Sequence, residues 1–242
     1  MTGRKGEGEG RPLVVVATRN AGKVRELLPM LAAAGFDATD LASLGVPETA
    51  DEDGLETFDT FAGNALAKAR HFARLVPGRP VLADDSGLAV DALGGMPGVR
   101  SKRWSGRADL SGRALDEANN RRLVAELAGV AERSARFVCA AAWVGPDGSG
   151  RKVELVALGE APGRILDDAR GAEGFGYDPY FLSDELGRSF GESSREEKAR
   201  VSHRARAVAA LLRKVAAGEG AVGGADQWGG EGRLGEAGRS RG

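Results

Sequence analysis

The chain has 242 residues, enough for one large domain or two small ones, and 14 of its 37 glycines fall in residues 1–11 and 218–242. With 34 basic and 35 acidic side chains the formal charge is −1, which leaves no positive excess to hold nucleic acid or an anionic membrane. Cys139 is the single cysteine, so a disulfide framework and a four-sulfur zinc site are excluded, and a reducing, cytoplasmic setting fits best. Apolar stretches of about five to nine residues fall short of the roughly 20 that a membrane helix needs, and the first ten residues lack the apolar region of a signal peptide. Residues 1–11 and 218–242, rich in glycine and charge, are expected to be disordered tails around one globular domain at 12–217.

In chain order, LVVVA at 13–17 predicts a strand buried on both faces. Val24, Leu27, Leu28 and Leu31 keep helical spacing, with Gly35 at the C-terminal end and Pro29 expected to kink the second half. After an acidic, turn-rich stretch at 45–60, the pattern predicts a helix at 61–75 and a strand at 80–83. A glycine-rich segment at 87–106 leads to a helix that Ser111 is placed to cap, carrying Leu115, Ala118, Leu123, Val124 and Leu127. Strands at 136–144 and 152–158, joined by GPDGSG, form a hairpin, and Val201, Ala205, Val208, Leu212 and Val215 mark a last helix. Strands that alternate with helices early and pair antiparallel later give an α/β fold, a mixed sheet with helices on its faces.

Four segments carry candidate chemistry. ATRNAGK, Ala17 to Lys23, lies between a strand and a helix, where free backbone N–H groups and a lysine on the first turn suit a phosphate. It has neither Walker nor dinucleotide spacing, and its bland reading is a turn capped by Asn20. In ADDSGLAVDALGGMPG, Ala83 to Gly98, two adjacent carboxylates follow a strand. Alternation sends Asp84 and Asp85 to opposite faces, so one is free to be structural while the other meets a hard cation such as magnesium. EGFGYDPYF, Glu173 to Phe181, sets aromatic rings beside permissive backbone, which suits a flat base or fills a core turn. REEKARVSHR brings Lys198, His203 and Arg204 close to a helix start that Ser202 is placed to cap. His71 and Cys139 have no such company; His71 reads as packed or solvated and Cys139 as buried filler.

Together and in this order, ATRNAGK, ADDSGLAVDALGGMPG, GFGYDP and EEKARVSHR make the sequence resemble the inosine triphosphate pyrophosphatase, or Ham1-like, family over about Leu13 to Val215. The resemblance implies an elongated central mixed sheet, two lobes with a cleft between them, and a homodimer. It also implies magnesium-dependent hydrolysis of noncanonical purine nucleoside triphosphates, those of inosine, deoxyinosine and xanthosine, to the monophosphate and pyrophosphate. Carried over by motif, Thr18, Arg19, Asn20, Ala21, Gly22 and Lys23 bind the triphosphate. Asp85 is magnesium ligand and proton acceptor, with Ser86 beside it in the substrate site. Phe175, Gly176, Tyr177 and Asp178 line the nucleoside pocket, and Lys198, His203 and Arg204 close on base and phosphates. The second metal carboxylate is the glutamate of a pattern ExGxTFxxNA, matched here by Glu52, Gly54, Thr57, Phe58 and Asn64 with extra residues between, and Asp51 is its nearest substitute. Two rival readings are open. A Maf-like pyrophosphatase for modified pyrimidine nucleotides differs in base preference, and a non-catalytic nucleotide-sensing module differs in showing no turnover.

Overall fold

The structure, a computed structural model, describes residues 13–147 and 149–218; the two predicted tails lie outside them, apart from Gly218. Six strands form one mixed sheet in the order β2-β1-β3-β4-β5-β6. β1 (Leu13–Val16) pairs parallel with β2 (Asp37–Asp40) and β3 (Val81–Val90), and β4 (Ser134–Pro146), β5 (Lys152–Ile165) and β6 (Phe181–Ser183) continue the sheet antiparallel. The helices are α1 (Ala21–Ala33), α2 (Phe61–Leu75), α3 (Gly112–Glu126), α4 (Arg195–Val201) and α5 (His203–Ala217).

Alternation along the central strands sorts the core. Val14, Val16 and Leu82 face α1 and α5, while Val15, Val81 and Ala83 face α2. At about 3.3 Å per residue, the 14 residues of β5 run roughly 45 Å. The long strands β3, β4 and β5 therefore continue past the short β1 and β2 into a third cluster, where Leu88, Phe137 and Phe181 pack with Leu123 of α3 and with Leu127, which caps its C-terminal end. The sheet is elongated, with one lobe at each end. Gly159 of β5 lets α5 lie directly on the strand, because a Cβ there would meet the His203 carbonyl and the Ala207 amide. That close approach brings the start of α5 to the junction of the lobes.

Several elements differ from expectation. The strand predicted at 80–83 runs on to Val90, so Asp84 and Asp85 lie within it, opposite Ala141 and Ala140 of β4. Two ionised residues are poor strand formers, and tertiary partners hold them there. The short polar edge strand β2 and the three-residue β6 escape periodicity altogether. α1 continues through Pro29, and Gly35, at φ +89°, follows its cap as expected. Ser111 stands at the α3 cap position without a side-chain hydrogen bond. The last helix is two: Ser202 ends α4 and caps α5, its hydroxyl accepting from the Ala205 N–H.

Candidate active site

Where the lobes meet, a cavity of about 110 Å³ adjoins a groove of about 830 Å³, the two sharing Asn20, Lys102, Asp116, Phe175 and Gly176 in their walls. Its walls come from the ends and bends of elements far apart in sequence. At the start of α1, Asn20 caps the helix, its Oδ1 accepting from the Gly22 and Lys23 N–H groups at 2.8 and 3.2 Å. Thr18 Oγ1 accepts from the Asn20 N–H and shapes the same loop. Ala21 and Gly22 floor the groove, and Lys23 reaches the cavity.

Asp84 and Asp85 point to opposite faces, as alternation requires. Asp84 is fully buried; Lys23 Nζ lies 3.0 Å from its Oδ2, Arg204 Nε donates at 3.1 Å, and the Cys139 thiol and Ser86 hydroxyl also point at it. Burial pushes this carboxyl up, but Lys23 and Arg204 together hold it well below the usual carboxylate range. Asp85 instead accepts from Asn64 Nδ2 at 3.0 Å and Lys68 Nζ at 3.3 Å. The same ammonium donates to Glu56 at 2.8 Å, so Glu56 and Asp85 share one cation at the cavity wall. Burial raises the Glu56 carboxyl, and the neighbouring Lys68 more than offsets it.

Glu52, the expected partner of Asp85, lies elsewhere. It takes two hydrogen bonds from Arg19, at 2.9 and 2.6 Å, and closes a capping box with Thr49. Arg19 also donates to the Val46 and Pro47 carbonyls, so four donor contacts bind it to this loop. Arg19 lines the groove as a clip between two loops, and the carboxylate brought to Asp85 is Glu56. The geometry thus places Glu56, and not the expected Glu52, beside Asp85. Asp51, the substitute considered, is likewise absent from the lining of both cavities, while Glu56 is present.

The opposite wall is the turn Phe175–Gly176–Tyr177–Asp178, all four of which line the cavity. The Phe175 N–H donates to Asp178 Oδ2 at 2.8 Å, and Tyr177 Oη donates to the Ser101 carbonyl at 2.7 Å. Phe175 packs on the open face of Gly22, where a Cβ would come within 2.6 Å of its ring. Lys198 Nζ lies between Glu26 and Asp178, at 2.8 and 2.7 Å, and 5.0 Å from the Phe175 ring centroid. Burial drives the Lys198 ammonium down, but Asp178 and Glu26 outweigh it and keep it charged. Arg204 pairs with Glu26 and donates to the Ser86 hydroxyl at 2.8 Å. His203 stacks on Phe137 at 4.7 Å with its Nδ1 buried and unpartnered; burial and the charges of Arg204 and Lys198 hold it well below the ordinary histidine value, so it is neutral at pH 7.

Sequence reasoning missed Glu56, Lys68 and Glu26 as members of this network. The first had a usable signal. Counted back from Asn64 without a gap, the pattern ExGxTFxxNA puts its glutamate at Glu56, its threonine at Thr60 and its phenylalanine at Phe61, with only Phe58 at the glycine position departing.

The model of the Ham1 family matches residues 14–214. The chain belongs to the Ham1 family. It is 50% identical over 207 residues to a dITP/XTP pyrophosphatase of Frankia alni, covering 84% of this chain and 98% of that one, and 45% identical over 202 residues to the Ralstonia nicotianae protein of the same name, covering 84% and 96%. Among solved structures, a HAM1 protein from Coxiella burnetii superposes with a TM-score of 0.68 at 32% identity, covering 84% of this chain and 97% of that one. The nucleoside-triphosphatase / dITP/XTP pyrophosphatase of Mycobacterium abscessus does so at 0.60 and 42% identity, covering 83% and 97%. The elongated mixed sheet is thus the Ham1 fold.

Proposed function

We propose that the chain hydrolyses the triphosphates of inosine, deoxyinosine and xanthosine to the nucleoside monophosphate and pyrophosphate. The observation that carries this reading is the meeting, in one cavity, of the Glu56–Asp85 carboxylate pair, the cations Lys23, Lys198 and Arg204, and the aromatic turn Phe175–Tyr177. The names of the Frankia and Ralstonia relatives support it.

Two carboxylates gathered around one ammonium form a hard-oxygen donor set of the kind magnesium takes, with water and substrate phosphates as its remaining ligands. Among the described residues no group of three or more His, Cys, Asp or Glu is placed to hold a metal ion by itself. Magnesium, held by Asp85 and Glu56, would neutralise phosphate charge and ease ionisation of a water. Asn64 and Lys68 fix the Asp85 carboxylate, which accepts the proton of the attacking water. Lys23 and Lys198 meet the phosphates. Phe175 and Tyr177 flank the base, with His203 and Arg204 beside it. A donor aimed at the 6-keto oxygen is left unmet by adenine's amino group, which costs about 1–3 kcal/mol if buried.

Residues 12–217 are the catalytic unit, supported by the family match at 14–214. The chain acts as a homodimer in the cytoplasm, binding neither nucleic acid nor membrane. No helix among the described residues is long and apolar enough to cross a membrane. The deciding experiment measures pyrophosphate release across ordinary and deaminated triphosphates, with and without magnesium. Fast release from inosine and xanthosine triphosphates alone is expected. Equal rates on ATP, or orthophosphate as product, overturn the reading.

A further inference from the structure

The aromatic turn is gripped from outside as well as from within. Asp116 and Asn120 stand four residues apart on α3 and so share one face of the helix. Asp116 Oδ2 accepts from the Gly176 N–H at 2.9 Å, and Asn120 Nδ2 donates to the Gly176 carbonyl at 2.9 Å. Both polar groups of a single residue are thus read by one helix, the exchange a neighbouring β-strand would otherwise make. Gly176 sits at φ +64°, a conformation that favours glycine, with nothing near where a Cβ would stand. The side chains that grip it supply what the turn lacks in regular pairing.

What the grip controls is the residue before it. Phe175 has its own N–H tied to Asp178, and its ring is pressed on Gly22 and faces Lys198 and Arg204. With the Gly176 peptide fixed at both ends, the ring's height above the α1 start is fixed too. We propose that Asp116 and Asn120 are positioning residues that set where the Phe175 ring lies, and hence how closely a purine ring and its phosphates fit between that ring and the start of α1. This rests on the functional reading above for the identity of the ligand. Asp116 also borders the cavity, and a direct contact with the nucleotide is the rival the test must separate.

The test is a double-substitution cycle on the full chain with inosine triphosphate. Asp116→Ala and Asn120→Ala are each expected to raise KM about tenfold, with kcat within about twofold. Asp116→Asn, whose amide oxygen still accepts from Gly176, should restore the unaltered KM. In a Phe175→Ala background, Asp116→Ala should add nothing. Full additivity there means that Asp116 acts on the substrate directly and overturns the proposal. If Asp116→Ala does not fold, Asn120→Asp, which keeps the size but turns an oxygen toward the Gly176 carbonyl, serves in its place with the same expected KM. Exchange of the Gly176 amide with deuterium reads the grip without any turnover. It should accelerate at least tenfold in the Asp116→Ala or Asn120→Asp protein, and unchanged exchange overturns the proposal. Pyrophosphate release by the unaltered chain tests the functional reading separately.

Discussion

On one face of β3, Asp84 is enclosed by Lys23, Arg204, Ser86 and Cys139; on the other, Asp85 meets Asn64 and Lys68 at the wall of a cavity. The two residues are adjacent and chemically identical. Asp84 has its charge consumed by fixed cations, which makes it a fastener between β3, α1 and α5. Asp85 shares its cation with Glu56 beside open space, which leaves it able to exchange partners. Whether a carboxylate here is locked in place or left beside open space is decided by what faces it from either side of the strand.

Substitutions sharpen this contrast, and the largest effect belongs to the open face. Asp85→Asn removes the charge without altering the shape, and kcat should fall at least about 100-fold while the melting temperature holds. Near-normal turnover would break the assignment. Next in size, Glu56→Gln should raise the magnesium concentration for half-maximal rate at least about tenfold, whereas Glu52→Gln should leave it unchanged. The opposite result, in a magnesium titration of initial rate, would return Glu52 to the site. On the closed face, Asp84→Asn should cost about 3 kcal/mol in denaturant unfolding, because it leaves buried cations unpaired.

The same contrast has a pH signature. The Asp84 carboxyl titrates below its ordinary value of 3.8 when folded, so the stability it contributes is whole above that pH and drains away as pH falls toward the folded value. Melting temperature followed between about pH 5 and pH 2 should fall less steeply in Asp84→Asn than in the unaltered chain. A parallel decline would show that Asp84 is not the linked group. The smallest expected effect is that of Gly22→Ala. The added methyl meets the Phe175 ring at 2.6 Å, which should cost roughly 1 kcal/mol and raise KM a few-fold. An unchanged KM would show that the ring yields freely.

Much of this was legible from residues alone. The hydrophobic runs located β1, α2 and the β4–β5 hairpin, and the period of two separated Asp84 from Asp85 before any partner was known. The end of β3 was not legible, because DDSG carries no apolar signal and its pairing with β4 depends on cations supplied from α1, α2 and α5. Neither was the Glu52 clip, since nothing local says that Arg19 spends its donors on a loop more than 25 residues away. Ion pairs are long-range facts. Glu26 shows this most plainly, sitting on α1 yet serving Lys198 and Arg204 over 170 residues later.

The approach to the cleft from β6 is paved with serines. Ser189 and Ser194 each close a capping box with a glutamate three residues on, and Ser202 ends one helix and begins the next. α4 has only seven residues, too few to hold a helix unaided, so Lys198 owes its place to these corners. None of the three serines lines either cavity. A search for damaging variants confined to residues that touch a nucleotide would pass over them. A Ser→Ala exchange at such a corner would nonetheless shift the Lys198 ammonium from its place between Glu26 and Asp178, giving an enzyme with every side chain at the cleft intact and the wrong spacing between them.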